Sequence, residues 1–192
     1  RRFLDMELCQ LDKIYMNHLS NYNKVLNQRN TLLKQISFQK DLAETLDIWD
    51  QQMVKYGANI IKIRDTFVKE LNEIISVIHD KLSGGREHLF LEYEPSVKIE
   101  EYEEQLKRRR EQDIRILSTG IGPHRDDISF LVNGMDIRKF GSQGQQRTAA
   151  LSLKLAEIEL VARRIKDKPV LLLDDVLSEL DGNRKNYLME SI

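Results

Sequence analysis

Gly141 Ser142 Gln143 Gly144 Gln145 Gln146 Arg147 is followed, one Ala- and Leu-rich segment later, by Val170 Leu171 Leu172 Leu173 Asp174 Asp175. The first stretch places two glycines and a serine just ahead of a predicted helix, Arg147 to Lys166. Glycine lets other groups approach the backbone, and the N–H groups and dipole at a helix N-terminus favour an anion. The second stretch is a short apolar run closed by two carboxylates, the pattern of a buried parallel strand. In open α/β sheets, ligands bind outside the carboxyl ends of such strands. Each stretch also has a plainer reading: a connector with Ser142 as N-cap, and a strand end followed by a polar turn. Their order, with one helix between them, favours a mixed α/β lobe built around a phosphate.

Upstream the texture is helical. The first 83 residues hold no proline and a single glycine, Gly57, with apolar residues at alternating steps of three and four. One seam runs Leu4, Leu8, Leu11, Tyr15, His18, Tyr22, Val25, Arg29, Leu32, Ile36 and is interrupted only by His18 and Arg29. A second runs Leu42, Leu46, Trp49, Met53, Tyr56, Ile60, Ile63, Phe67, then slips by one residue to Leu71, Ile74, Ile78. Two long antiparallel helices forming an arm over 1–85 are expected, with a turn somewhere from Ser37 to Asp47. Ser83 Gly84 Gly85 supplies the left-handed C-cap that ends the arm.

A head lobe is expected over 86–192, with a small parallel or mixed sheet, a β-hairpin and flanking helices. Leu89, Leu91 and Tyr93 alternate as in a strand. A helix follows from about Ile99, with Glu100, Glu101, Glu103 and Glu104 at its start. Lys107 to Arg110 stand at its end, matched to the helix dipole. After the loop Gly120 to Asp127, Ile128–Val132 and Met135–Phe140 flank Asn133 Gly134, the pair suited to a type I′ hairpin turn. A last helix begins near Gly182.

Composition narrows the function classes. Lys plus Arg number 30 and Asp plus Glu 31, so any nucleic-acid contact is a local patch rather than a global charge effect. Cys9 has no partner for an internal disulfide, which fits a reducing cytoplasm, and it reads as a small buried side chain. No apolar run approaches the ~20 residues needed to cross a bilayer. The opening Arg1 Arg2 Phe3 Leu4 Asp5 lacks Met and a signal peptide's apolar core, so a preceding segment is expected.

Three phrases carry a resemblance. Gly122 Pro123 His124 Arg125 Asp126 Asp127, the signature-like Gly141 to Arg147, and Leu173 to Asp181 resemble the motifs of the RecF family of ABC/SMC-type ATPases, as do Arg1 to Asp5 and Asn27 Gln28 Arg29 Asn30. Leu82 Ser83 Gly84 Gly85 Arg86 looks more like the common signature pentapeptide, but it ends a helix, whereas a phosphate-binding signature must start one. The resemblance implies ATP and Mg²⁺ as cofactors, with Ser142, Gln143, Gly144 and Gln145 touching ATP held by a second copy. It further implies Asp174 organising the metal (Walker B), Asp175 orienting the attacking water, and Asp181 coupling the halves of the dimer (D-loop).

Asp175 stands where many relatives of the class have Glu and reaches one methylene less far, so slow hydrolysis and a switch-like role are expected. No Gly-x-x-x-x-Gly-Lys-Ser/Thr occurs, so the phosphate-cradling loop is expected upstream, and this polypeptide alone is expected to be inactive. The implied parent dimerises on ATP, binds DNA at single-strand/double-strand junctions, and works with RecO- and RecR-type mediators. It acts in recombination, gap repair and the SOS response, in the cytoplasm. His124, Arg125, Lys107 and Arg108 are candidate DNA contacts. Two other readings are a partner-recruiting coiled-coil module, which leaves Asp174 and Asp175 unexplained, and a transporter ATPase subunit, against which the long arm argues.

Overall fold

The computed structural model describes residues 1–165. They fall into two compact units: Arg1–Thr66 with Tyr93–Asp127, and Phe67–Glu92 with the residues from Ile128 on. The expected strand Val170 to Leu173 and the helix from Gly182 lie outside the described residues.

The first unit is helical. Its seam from Leu4 to Ile36 buries Leu4, Leu8, Tyr15, Tyr22, Val25, Arg29, Leu32 and Ile36 as expected, but over two helices. These are α1 (Arg2–Leu11) and α2 (Lys13–Ile36). Between them Asp12 turns to φ −138° and ψ 105°, ending α1, and its carboxylate accepts the Ile14 and Tyr15 N–H groups at 2.7 and 3.1 Å. Capping of this kind contributes about 1 kcal/mol.

The partner of α2 is α3 (Leu46–Ser83), whose residues through Thr66 belong to this unit. Arg29 meets Asp50, Tyr22 meets Gly57 and Tyr15 meets Arg64, a register that rises on one helix as it falls on the other. The pair is therefore antiparallel. The turn is a 3-10 stretch, Lys40–Thr45, built without Gly or Pro. Burial replaces turn chemistry here: Leu42 and Ala43 pack on the cluster Leu32, Leu33, Ile36 and Leu46, and the Thr45 hydroxyl donates to the Leu42 carbonyl at 2.6 Å.

α4 (Tyr102–Ile116) follows a 3-10 turn at Ile99–Glu101 and ends at Leu117, where φ is +56°. Lys107 to Arg110 therefore lie mid-helix, which corrects the expectation of a basic terminus. Lys107 and Arg108 instead pair one turn back with Glu103 and Glu104. Such pairs add a few tenths of a kcal/mol (roughly 0.2–0.5). Gly57 is explained by α4, since a Cβ there would stand 2.6 Å from the Tyr102 ring. Cys9 is half-buried rather than buried, because α1 offers it only a partly covered face.

The second unit begins at Phe67, along the last turns of α3. Phe67, Leu71, Ile74 and Ile75 are buried there, and His79 takes the inward place expected of Ile78. Gly84 and Gly85, at φ +67° and +75°, end the helix, and the Gly85 N–H reaches back to the Asp80 carbonyl at 2.8 Å. A three-stranded sheet of order β1-β2-β3 follows, made of β1 (Leu89–Glu94), β2 (Asp127–Val132) and β3 (Met135–Asp136). β2 and β3 are antiparallel, with Val132 opposite Met135 across Asn133 and Gly134 at φ +49° and +82°.

The hairpin's second arm is shorter than expected. Asp136 accepts the Arg138 N–H at 2.9 Å and starts a helical turn, α5 (Ile137–Phe140), where strand was expected. α6 (Gln143–Ile165) then starts four residues before Arg147, so that the signature-like segment forms its first turn. Among the described residues no helix is long and apolar enough to cross a membrane.

Candidate functional site

Ser142 precedes the first residue of α6, and its contacts with Gln145 are reciprocal. The Gln145 N–H donates to Ser142 Oγ at 3.2 Å, while Gln145 Oε1 accepts the Ser142 N–H at 2.9 Å. This Ser-x-x-Gln exchange is a capping box, satisfying two donors that the helix itself cannot. With its oxygen accepting from Gln145, the Ser142 hydroxyl keeps its proton for an outside acceptor. Ser142, Gln143 and Gly144 are exposed, and Gln143 and Gly144 present first-turn N–H groups at the positive end of a 23-residue helix. Ser142 thus caps the helix, as the connector reading expects, and stands exposed at its start.

Glycine is required at two points for different reasons. A Cβ at Gly141 would lie 2.6 Å from the Ile137 carbonyl oxygen, so the tight passage from α5 into the signature turn excludes any side chain. At Gly144 the nearest atom to such a Cβ is Ser142 Oγ at 3.9 Å, so this glycine keeps the approach to the helix end open. Gln146 closes the turn by donating to the Ile137 carbonyl at 2.8 Å. Asp174, Asp175 and Asp181, the expected metal, catalytic and coupling residues, lie outside the described residues.

In the other unit, the loop Gly122 to Asp127 is drawn inward. Asp126, 5 % exposed, accepts from Arg64 Nη1 at 2.9 Å, the Ser96 N–H at 2.9 Å and the Tyr93 hydroxyl. Gly122 has φ +120°, and a Cβ there would come within 2.3 Å of the Tyr22 and Tyr102 hydroxyl oxygens. His124 donates from Nε2 to the Thr119 carbonyl at 3.0 Å, since a carbonyl only accepts. Its Nδ1 therefore accepts from the Tyr22 hydroxyl at 2.7 Å. Burial holds this imidazole neutral, down at about 4 against the usual 6.5. Arg125 is exposed, with loose contacts to Ser118 and the Thr119 carbonyl, and Lys107 and Arg108 are exposed on α4.

The depressed His124 value has a measurable consequence. As pH falls, the unfolded chain takes up its proton near pH 6.5 while the folded chain resists until about 4. Stability is thus complete above pH 6.5 and lost progressively down to pH 4, by about 2–3 kcal/mol. Comparing denaturant midpoints of wild type and His124→Gln at pH 7.5 and 4.5 isolates this from other acid effects. Parallel losses in the two proteins would contradict it.

Sequence reading missed Arg64 and Glu87, which the structure places at the centres of polar networks. Arg64 lies one residue from the seam position Ile63, a slight signal. Glu87, between the Gly84 Gly85 cap and β1, gave none.

A serine-capped helix N-terminus and an antiparallel helix pair are both features that the resemblance to ABC/SMC-type proteins leads one to expect. No family model matches the chain. It is, however, 63 % identical over its whole length to a DNA replication and repair protein RecF from Lachnoclostridium phytofermentans, and 60 % to one from Agathobacter rectalis. A solved structure of the recombination mediator protein RecF with ATP in the RecFOR pathway superposes with a TM-score of 0.88, at 40 % identity over 99 % of the chain. The chain spans 53 % of each of these proteins, about half their length. Over its whole length the chain is thus similar to about half of a RecF protein.

Proposed function

We propose that this chain supplies the signature half of a shared ATP site in a recombination and gap-repair protein, with Ser142, Gln143, Gly144 and Gln145 meeting the triphosphate carried by a second copy. The observation that carries the reading is the first turn of α6: an exposed, capped serine beside exposed N–H groups and an open glycine. Phosphate at a helix N-terminus is favoured by both the orphan donors and the dipole. The name and ATP ligand of the similar solved structure support the same reading. Mg²⁺ would be held by Asp174, whose carboxylate ends an apolar run, with Asp175 beside the attacking water and Asp181 at the dimer seam. The protein acts as a slow, cytoplasmic ATP switch that closes on single-strand/double-strand DNA junctions and works with RecO- and RecR-type mediators. Arg125, with Lys107 and Arg108, is proposed to meet DNA backbone, while the inward, neutral His124 supports the loop that carries Arg125.

The test is the mass in solution of the full-length protein, with and without ATP. Ser142→Arg fills the open approach with a long cation and is expected to raise the ATP needed for half-dimerisation at least about tenfold, a cost of ~1.4 kcal/mol or more. A dimer that forms equally without ATP, or a Ser142→Arg protein that responds as wild type, would overturn the proposal.

A further inference from the structure

We infer that Glu87 is a positioning residue for the signature turn, fixing through Gln145 the orientation in which Ser142 meets a nucleotide phosphate; this rests on the function proposed above. Gln145 Nε2 donates to Glu87 Oε1 at 3.1 Å. A carboxylate oxygen there accepts only, so it decides which way the Gln145 amide faces. The amide nitrogen points to Glu87, and the amide oxygen is left for the Ser142 N–H. Without Glu87 the amide is free to turn over, presenting a donor to a donor. The capping box then loses one arm and the serine its fixed direction.

Glu87 is itself held from two sides. Its N–H donates to Ser83 Oγ at 3.2 Å, and the Ser83 hydroxyl points to the Asp80 and Glu87 carbonyls at 3.1 and 3.3 Å. Leu82 Ser83 Gly84 Gly85 Arg86, which imitates a signature but ends a helix, thus acquires a role: its two left-handed glycines turn the chain so that Glu87 reaches α6. The second carboxylate oxygen lies 3.4 Å from Nε2 of His79, a fully buried residue of α3. His79 Nδ1 is 2.8 Å from Ser152 Oγ, whose own proton goes to the Thr148 carbonyl at 2.8 Å, so Nδ1 donates. Glu87 therefore sits between α3 and the first turns of α6, with Oε1 bonded to Gln145 and Oε2 beside the His79 ring.

The test uses the full-length protein and reads the ATP concentration at half-dimerisation by light scattering, with thermal midpoints recorded in parallel. Glu87→Ala is expected to raise it about five- to tenfold, the worth of a lost cap at each of two shared sites. Gln145→Glu is expected to do the same by setting two carboxylates against each other. Glu87→Gln keeps an acceptor for Gln145 and stays within about twofold of wild type. The decisive arm is Glu87→Gln combined with Gln145→Glu, which exchanges donor and acceptor and is expected to restore the wild-type response. ATP-dependent dimerisation unchanged in Glu87→Ala and Gln145→Glu, or a double variant no better than Gln145→Glu alone, overturns the inference while leaving the signature reading in place. A wild-type protein that ignores ATP overturns that reading itself.

Discussion

Replacing Arg29 by alanine lowers the stability of the helical unit by about 3–5 kcal/mol, the cost of leaving buried carboxylates without their cation. The guanidinium is 0 % exposed and is shared among three groups from distant parts of the chain. Nε donates to Asp50 at 2.7 Å, and Nη1 donates to Asp113 and to Thr119 Oγ1, each at 2.8 Å. Asp50 retains Arg110 when Arg29 is lost, at 2.8 Å. Asp113, also fully buried, retains the Gly120 N–H at 3.1 Å. The unpaired charge is therefore chiefly that of Asp113. Removing both partners together, as Arg29→Met with Asp113→Leu, is expected to cost less than Arg29→Ala alone, because no buried charge is stranded. Denaturant unfolding of the three proteins checks this. A loss below about 1 kcal/mol for Arg29→Ala, or a double variant worse than the single, would show that water reaches the site and screens it.

The same residue shows how far sequence goes. Arg29 stood out as a charge in an apolar seam, and the seam itself was legible because the 3.6-residue period needs only neighbours one and two turns away. What the charge meets was not legible: Asp50, Asp113 and Thr119 lie 21, 84 and 90 residues off, and nothing local distinguishes them from the other acidic and hydroxyl side chains. Local chemistry was read well wherever it was self-contained, as in the Asn133 Gly134 turn and the Gly84 Gly85 cap. It failed where two local signals competed. Met135 to Phe140 alternates like a strand, yet Asp136 caps a helical turn, and the helix won after two residues of pairing. Likewise the sequence places the start of this helix at Arg147, whereas the Ser142 and Gln145 exchange carries it back over Gly144. The signature turn was thus recognisable as a segment, but the carboxylate that sets its geometry comes from 58 residues earlier.

Arg64 gives the second large effect, and it bears on the family-like loop Gly122 to Asp127. Each nitrogen of this buried guanidinium has its own direction: Nε donates to Tyr15 Oη at 3.0 Å, Nη1 to the Pro123 carbonyl at 2.7 Å and Asp126 at 2.9 Å, and Nη2 to Asp5 at 2.7 Å. It ties α1 and the loop to α3, joining the two family-like phrases that hold Asp5 and Asp126. Arg64→Ala is expected to cost about 3–5 kcal/mol, since Asp126, 1 % exposed in its side chain, loses its cation. Arg64→Lys separates charge from shape. An ammonium on a flexible stem cannot hold Tyr15, Asp126 and Asp5 from one plane, so less than half of the loss should return. If geometry is what matters, amide exchange along Arg2–Leu11 and around Gly122 to Asp127 quickens together in both variants, while α6 stays protected. Full recovery by lysine would mean that Arg64 acts as a charge alone. Exchange confined to α1 would mean that the loop is held by Tyr93 and Ser96, with Arg64 a bystander to it.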